Sequence, residues 1–287
     1  MLLAEPALRS TIPAHQRVDG AARIEFSATH ATTRLADLYQ RAPCRVLFPE
    51  TDADEPAQAV LLTTSGGLTG GDRLAVDFVV GAGACATLTS QAAEKIYRAL
   101  PGSDAQIDVR VEAGAGAWAE WLAQETILFD GAHLRRTLVA DLAPTARLLA
   151  VESIVFGRSA MGEFLRCGFV HDAWRIRRDG RLVFADALHL DGDIEALRAA
   201  PFGFANALAC GTLIYAAADA PSLLEPIRSA LAPHAFVAHA TTREGLLIVR
   251  LLADDAVDLR HAIITAAGTI RHSAMGLATR LPQVWYC

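Results

Sequence analysis

The sequence lacks the residues that would turn its most glycine-dense stretch into a phosphate site. Ser65 to Asp72 reads SGGLTGGD, with four glycines in eight residues between two apolar runs. A Walker-type loop needs a lysine and a hydroxyl directly after its last glycine, bringing positive charge and a magnesium ligand to the nucleotide. Asp72 and Arg73 stand there instead. A carboxylate at the mouth of an amide-lined loop repels phosphate, and neither the dinucleotide spacing of glycines nor a helical pattern after the loop is present. These mismatches argue against nucleotide binding. The glycines read as backbone devices that permit positive φ and close approach of chains, with Asp72 at a fixed bend.

Other absences narrow the class further. The five cysteines, Cys44, Cys85, Cys167, Cys210 and Cys287, include no C-x-x-C pair, and an odd number cannot all close into intramolecular disulfides, so a reducing cytoplasm is the expected setting. No segment approaches the length of a membrane span without a charge or turn, and the opening MLLAEPALRS lacks the basic start and apolar core of an export signal. A soluble, unexported chain is expected. A net charge of -6 offers no general surface for nucleic acid. Among nine histidines, His171 and His189 share one neighbourhood and His234 and His239 another, but none forms H-x-x-x-H or sits beside a cysteine pair, so no fixed zinc site is expected. Serine hydrolase chemistry has no G-x-S-x-G elbow: Ser159, in GRSAMG, directly follows an arginine.

What is present is a chain of 287 residues, 52% apolar, long enough to bury a substantial core without crosslinks. Leu74, Val76, Phe78 and Val80 alternate with Ala75, Asp77 and Val79, the period of a strand with one buried face. A glycine turn and a second apolar run, ACATLTSQ, follow. The same order recurs as IDVRVE, AGAG, AWAEWL and as LRRTLVADL, APT, ARLLAVES. Three strand-turn-strand units at intervals of roughly 30 residues fall in the period range of stacked β architectures. After residue 200 the pattern changes: ALACGTLIYAA, FVAHATT and GLLIVRLL read as strands, while PSLLEPIRSAL and DDAVDLRHAIITAAGTIRH have acidic starts and apolar residues at helical spacing. In the latter, Val257, Ile263, Ile264 and Ala267 share a face that is expected to remain partly exposed and to seek a partner. The expected fold is therefore mainly β. A body of stacked, β-helix-like sheets covers residues 1–200, and a smaller α+β part with about two helices covers 201–287, packed on the body with no linker between them.

Asp72, Glu152, Glu163 and Asp186 each lie beside an apolar strand-like run or a tight glycine turn. A carboxylate drawn inside must be paired, hydrated or facing a metal. One reading is a β-solenoid carbohydrate-active enzyme using two such groups as acid and base; another is salt bridges with Arg158, Arg166 and nearby arginines. TSQAAEKIYRAL gathers Lys95, Tyr97 and Arg98 in a segment that is either a helix or an extended connector.

SGGLTGGD, then LTSQAAEKIYR, WLAQETILFDGA, GRSAMGE and a terminal LPQVW, in that order, resemble the urease accessory protein family UreD, also called UreH, from about Leu61 to the C-terminus. The resemblance implies a non-enzymatic maturation factor for the nickel enzyme urease, with a mainly β body. It implies that apo-urease binds on one side and the helical accessory protein UreF on another, UreF in turn recruiting the GTPase UreG. No cofactor is implied as permanently bound; nickel is cargo in transit through an internal passage. By match of motifs, Asp72, Glu152 in LLAVES and Asp186 in VFADALHL correspond to the acidic positions that line it. Oxygen ligands hold a borderline cation more loosely than thiolates do, which suits an ion that must leave again.

Overall fold

The computed structural model describes residues 17–30, 32–100, 102–158, 161–200, 202–233 and 237–287; Ser159 and His234 lie outside them. The chain begins with β1 (Asp19–Thr29), β2 (Thr32–Arg41), β3 (Cys44–Leu47) and β4 (Ala57–Thr63). The repeating units follow as β5 (Arg73–Val80) and β6 (Cys85–Ser90), β8 (Ala105–Ala113) and β9 (Trp118–Leu122), and β11 (His133–Leu142) and β12 (Arg147–Arg158). The short β7 (Glu94–Ile96) and β10 (Thr126–Leu128) lie between units. After β13 (Glu163–Phe164) come a long pair, β14 (Cys167–Arg178) and β15 (Arg181–Asp193), then α1 (Ile194–Ala199), β16 (Ala209–Ala216), α2 (Leu224–Leu231), β17 (Val237–Arg243), β18 (Leu246–Ala253) and α3 (Ala256–Met275).

The three units are successive turns of a two-sheet stack. β5, β8 and β11 lie parallel and adjacent in a seven-stranded sheet ordered β15-β14-β11-β8-β5-β1-β2. Their partners β6, β9 and β12 lie parallel and adjacent in an eleven-stranded sheet with the path β17-β18-β16-β12-β9-β6-β4-β3. Each unit thus sends one strand to each sheet, and the inward phase of the alternation fills the space between them: Leu74, Val76, Phe78 and Val80 from β5, and Leu88, Trp121 and Ala150 from the opposite sheet. At the third turn the parallel stacking ends. β15 closes one sheet antiparallel to β14, and the other is extended by β16 antiparallel to β12, β18 antiparallel to β16 and β17 antiparallel to β18. The segment after residue 200 therefore shares hydrogen-bonded strands with the body.

The stretch TSQAAEKIYRAL is extended. β6 ends at Ser90, the chain bends, and β7 runs alongside the glycine-rich loop. The amide of Leu68 donates to the Lys95 carbonyl at 2.7 Å, and the amide of Tyr97 donates back to the Leu68 carbonyl at 2.7 Å. Gly67 is required here: its φ is +136°, and a Cβ would lie 2.8 Å from the Lys95 carbonyl oxygen.

A second apolar cluster lies on the other face of the eleven-stranded sheet, beneath α2 and α3. The side chain of Asp255 caps α3 by accepting from the Val257 amide at 2.6 Å. The stripe expected to seek a partner is turned mostly inward. Ile263 is 2% exposed, Ala267 is buried and Ile264 packs against the cluster, leaving Val257 as the exposed member at 58%. The apolar surface of β16 and β18 was the nearer partner. Among the described residues no helix is long and apolar enough to cross a membrane.

Candidate functional site

The stacked rows that carry the core become charged at the third turn. On the seven-stranded sheet the inward row runs Leu74, Ile107, Arg136, Asp172. Arg136 falls on the phase of Leu134, Leu138 and Ala140, and Asp172 on that of Val170, Trp174 and Ile176. Across the interior, Glu152 occupies the phase of Leu148, Ala150 and Ile154 on β12. All three charged side chains are buried. Arg136 donates from Nε to Asp172 Oδ1 at 2.9 Å and from its Nη2 to Oδ2 at 2.6 Å, a two-pronged pairing, and reaches Thr126 Oγ1 at 2.9 Å with its Nη1. Glu152 Oε1 accepts from the indole of Trp121 at 3.0 Å. Its Oε2 lies against Arg136 Nε yet accepts no hydrogen bond, because that N–H points at Asp172.

Two cavities meet at this cluster. One, of about 230 Å³, is lined by Arg136, Glu152, Trp121, Thr126 and Glu94 and reaches exposed Gly66, Gln91 and Lys95. The other, of about 260 Å³, is lined by Glu152, Asp172, Asp186, Cys210 and Thr212 and reaches exposed Ala187 and Arg250. Glu152 belongs to both walls; Arg136 faces only the first and Asp172 only the second.

Burial pushes the Glu152 carboxyl up to about 7; the Arg136 charge pulls it down, Asp172 pushes it up and the Trp121 hydrogen bond lowers it. The folded state then retains a proton that the unfolded chain has released. Stability contributed by this group is complete at low pH, falls as pH rises from 4.5 to about 7 and is level above. Glu152→Gln should remove this slope, which urea midpoints of the wild type and variant across that window will show; parallel curves would contradict it. Burial, followed by the Asp172 charge, likewise pushes the Cys210 thiol up to about 12, so it presents no thiolate to the second cavity at neutral pH.

Of the residues singled out from sequence, Glu152 and Asp186 share the wall of the second cavity, where Asp186 pairs with Arg250. Asp72 is elsewhere. It is buried in the glycine-rich loop, lines neither cavity, and accepts from the amides of Val18 and Thr69 at 2.8 Å each. Those bonds fix the loop whose Gly66 and Gly67 form part of the first cavity's wall. Glu163 forms a surface pair with Arg158, with a contact at 2.8 Å. Sequence reading missed Arg136 and Asp172. The signal was available: each is a charge on the buried phase of an otherwise apolar alternation. Among the described residues no group of three or more His, Cys, Asp or Glu side chains is placed to hold a metal.

The architecture is that of a β scaffold with buried, charge-paired cavities, and the comparisons place it in a class of accessory proteins. The model of the family described as UreD urease accessory protein matches residues 18–286. A urease accessory protein UreD from Magnetococcus marinus is 42% identical over 276 residues, covering 94% of each chain. The UreD of Rhizobium rhizogenes is 42% identical over 279 residues, 97% of this chain and 98% of that one. A UreD from a Methylobacterium species is 43% identical over 281 residues, 95% and 96% of the two chains. The chain belongs to the UreD family of urease accessory proteins, whose members are maturation factors and not enzymes. The carbohydrate-active reading is thereby replaced.

Proposed function

We propose that this chain holds apo-urease on one side and a UreF-type helical protein on another, a UreG-type GTPase joining through UreF, in the cytoplasm. Nickel crosses the β body between them. The observation that carries this reading is the meeting of two solvent-reaching cavities at one buried carboxylate, Glu152, with Asp186 further along the second. Carboxylate oxygens bind a borderline cation weakly enough to release it, and successive weak sites permit transit. Asp72 enters as the residue that holds the mouth loop in shape.

The test is co-expression of the chain with urease and the accessory proteins, followed by measurement of complex composition and of nickel per urease. Glu152→Gln with Asp186→Asn should leave the complex assembled and lower urease nickel several-fold. Normal loading by the double variant would sink the route. Asp72→Asn, in contrast, should act through loop stability and lower the amount of folded chain.

A further inference from the structure

The charged junction contains one cation for two carboxylates, and that cation is a side chain. With both carboxylates ionised, Glu152, Asp172 and Arg136 together carry a net charge of about −1 on three buried side chains, an arrangement that is costly unless each group is held by its neighbours. The guanidinium spans the point where the cavities meet, touching Glu152 from the first side and clamping Asp172 on the second. One polar atom is left over: Glu152 Oε2, in a residue only 2% exposed, accepts no hydrogen bond. An oxygen so placed, between two cavities and beside a positive charge, is unsatisfied by the protein alone.

We propose that Glu152 and Asp172 form a divalent-cation site at this junction, and that the Arg136 guanidinium occupies it as a built-in competitor which the incoming cation displaces. The proposal rests on the transit reading above and adds to it a ligand, Asp172, and a plug, Arg136. A guanidinium is suited to the task. It pairs with two carboxylate oxygens at once, remains charged at any relevant pH, and so keeps the carboxylates from standing unpaired when no metal is present. A doubly charged ion at the same place neutralises both carboxylates, which one guanidinium does not, so exchange is favoured by charge. The displaced side chain has room and a partner. It faces the first cavity, already reaches Thr126 there, and that cavity is also lined by the half-buried Glu94, whose carboxylate accepts from Thr63 Oγ1 at 3.0 Å. Two carboxylates complemented by water make a weak oxygen site, of the kind a hard or borderline cation leaves readily. Competition from Arg136 weakens it further and closes the passage to ions that bind less strongly than the guanidinium does.

The test uses the purified full-length chain titrated with nickel chloride, read by calorimetry and by quenching of tryptophan emission, since the Trp121 indole is bonded to Glu152. Arg136→Met removes the competitor while conserving much of the side-chain volume, and should bind nickel about tenfold more tightly or better, because the two carboxylates are then left without a counter-charge. The neutral combination Arg136→Met, Glu152→Gln, Asp172→Asn should lose that binding. Equal nickel affinity of Arg136→Met and wild type would overturn the proposal. Should Arg136→Met not fold by itself, nickel chloride added during refolding is expected to restore a cooperative unfolding transition, which the neutral triple variant shows without metal; failure of nickel to restore it would also overturn the proposal. The transit reading fails separately. If Arg136→Met binds nickel tightly while urease loading is indifferent to Glu152, the site stands and the route does not; if loading depends on Glu152 but Arg136→Met leaves affinity unchanged, the reverse holds.

Discussion

Arg271→Ala is expected to lower the stability of the chain by about 3–5 kcal/mol, the cost of leaving a buried carboxylate without its partner. Arg271 lies on the inner side of α3 and is 1% exposed; Glu120 on β9, 0% exposed, faces it. Glu120 Oε1 accepts from Arg271 Nε at 2.9 Å and from the Trp118 indole at 2.8 Å, and Oε2 accepts from Thr87 Oγ1 at 2.5 Å. The remaining guanidinium nitrogens bond Glu55 and the carbonyls of Ala278 and Arg280. One side chain thus ties together the sheet, the segment before β4 and the chain that returns after α3. Arg228, by contrast, meets Glu225 with both partners largely exposed, and Arg228→Ala should change stability by no more than about 0.5 kcal/mol. Pairing Arg271→Met with Glu120→Gln should recover much of the loss, because the neutral groups need no counter-charge. Denaturant unfolding of the purified variants followed by circular dichroism gives all three values. A loss below about 1 kcal/mol for Arg271→Ala would mean that water or another cation reaches Glu120.

Gly268→Ala should destabilise the protein by about 1–3 kcal/mol, the usual cost of overpacking a filled interior. Helix propensity alone gives the opposite sign, since alanine in a helix interior is favoured over glycine by about 1 kcal/mol. Gly268 lies in the middle of α3, and a Cβ there would run into the backbone carbonyl of Thr279, on the returning chain whose neighbours Ala278 and Arg280 are held by Arg271. A carbonyl bonded into the backbone has no rotamer by which to move aside, so the helix and the returning segment must separate. Thermal unfolding of the variant measures the balance directly. A raised midpoint would show that the segment shifts at little cost and that propensity dominates.

Gly268 illustrates how far the sequence could be read. Its helix was legible from the spacing of apolar residues and the acidic start at Asp254 and Asp255, but the reason for a glycine at its centre lies eleven positions away on a chain that folds back. The apolar stripe of Val257, Ile263, Ile264 and Ala267 was visible in the same way. Periodicity specifies that a face exists without specifying what covers it, and the sheet covered most of this one. Asp72 shows a related limit. Its place after the glycines marked it as fixed, while its partners, the amides of Val18 and Thr69, include one 54 positions away that no local pattern indicates.

By itself the sequence determined the strands of the three repeating units and those after residue 200, because a period of two is a local property: each β unit is written in its own alternation, and its turns in their own glycines and prolines. It also determined the family, through five blocks in fixed order. Only the tertiary structure decided which charges meet. Arg136, Glu152 and Asp172 sit on three strands in two sheets, and their convergence depends on the register in which the turns of the stack are laid on one another. Register is set by the packing of whole rows of side chains, to which distant residues contribute together, so a single strand read alone carries the phase of each charge but not its neighbour.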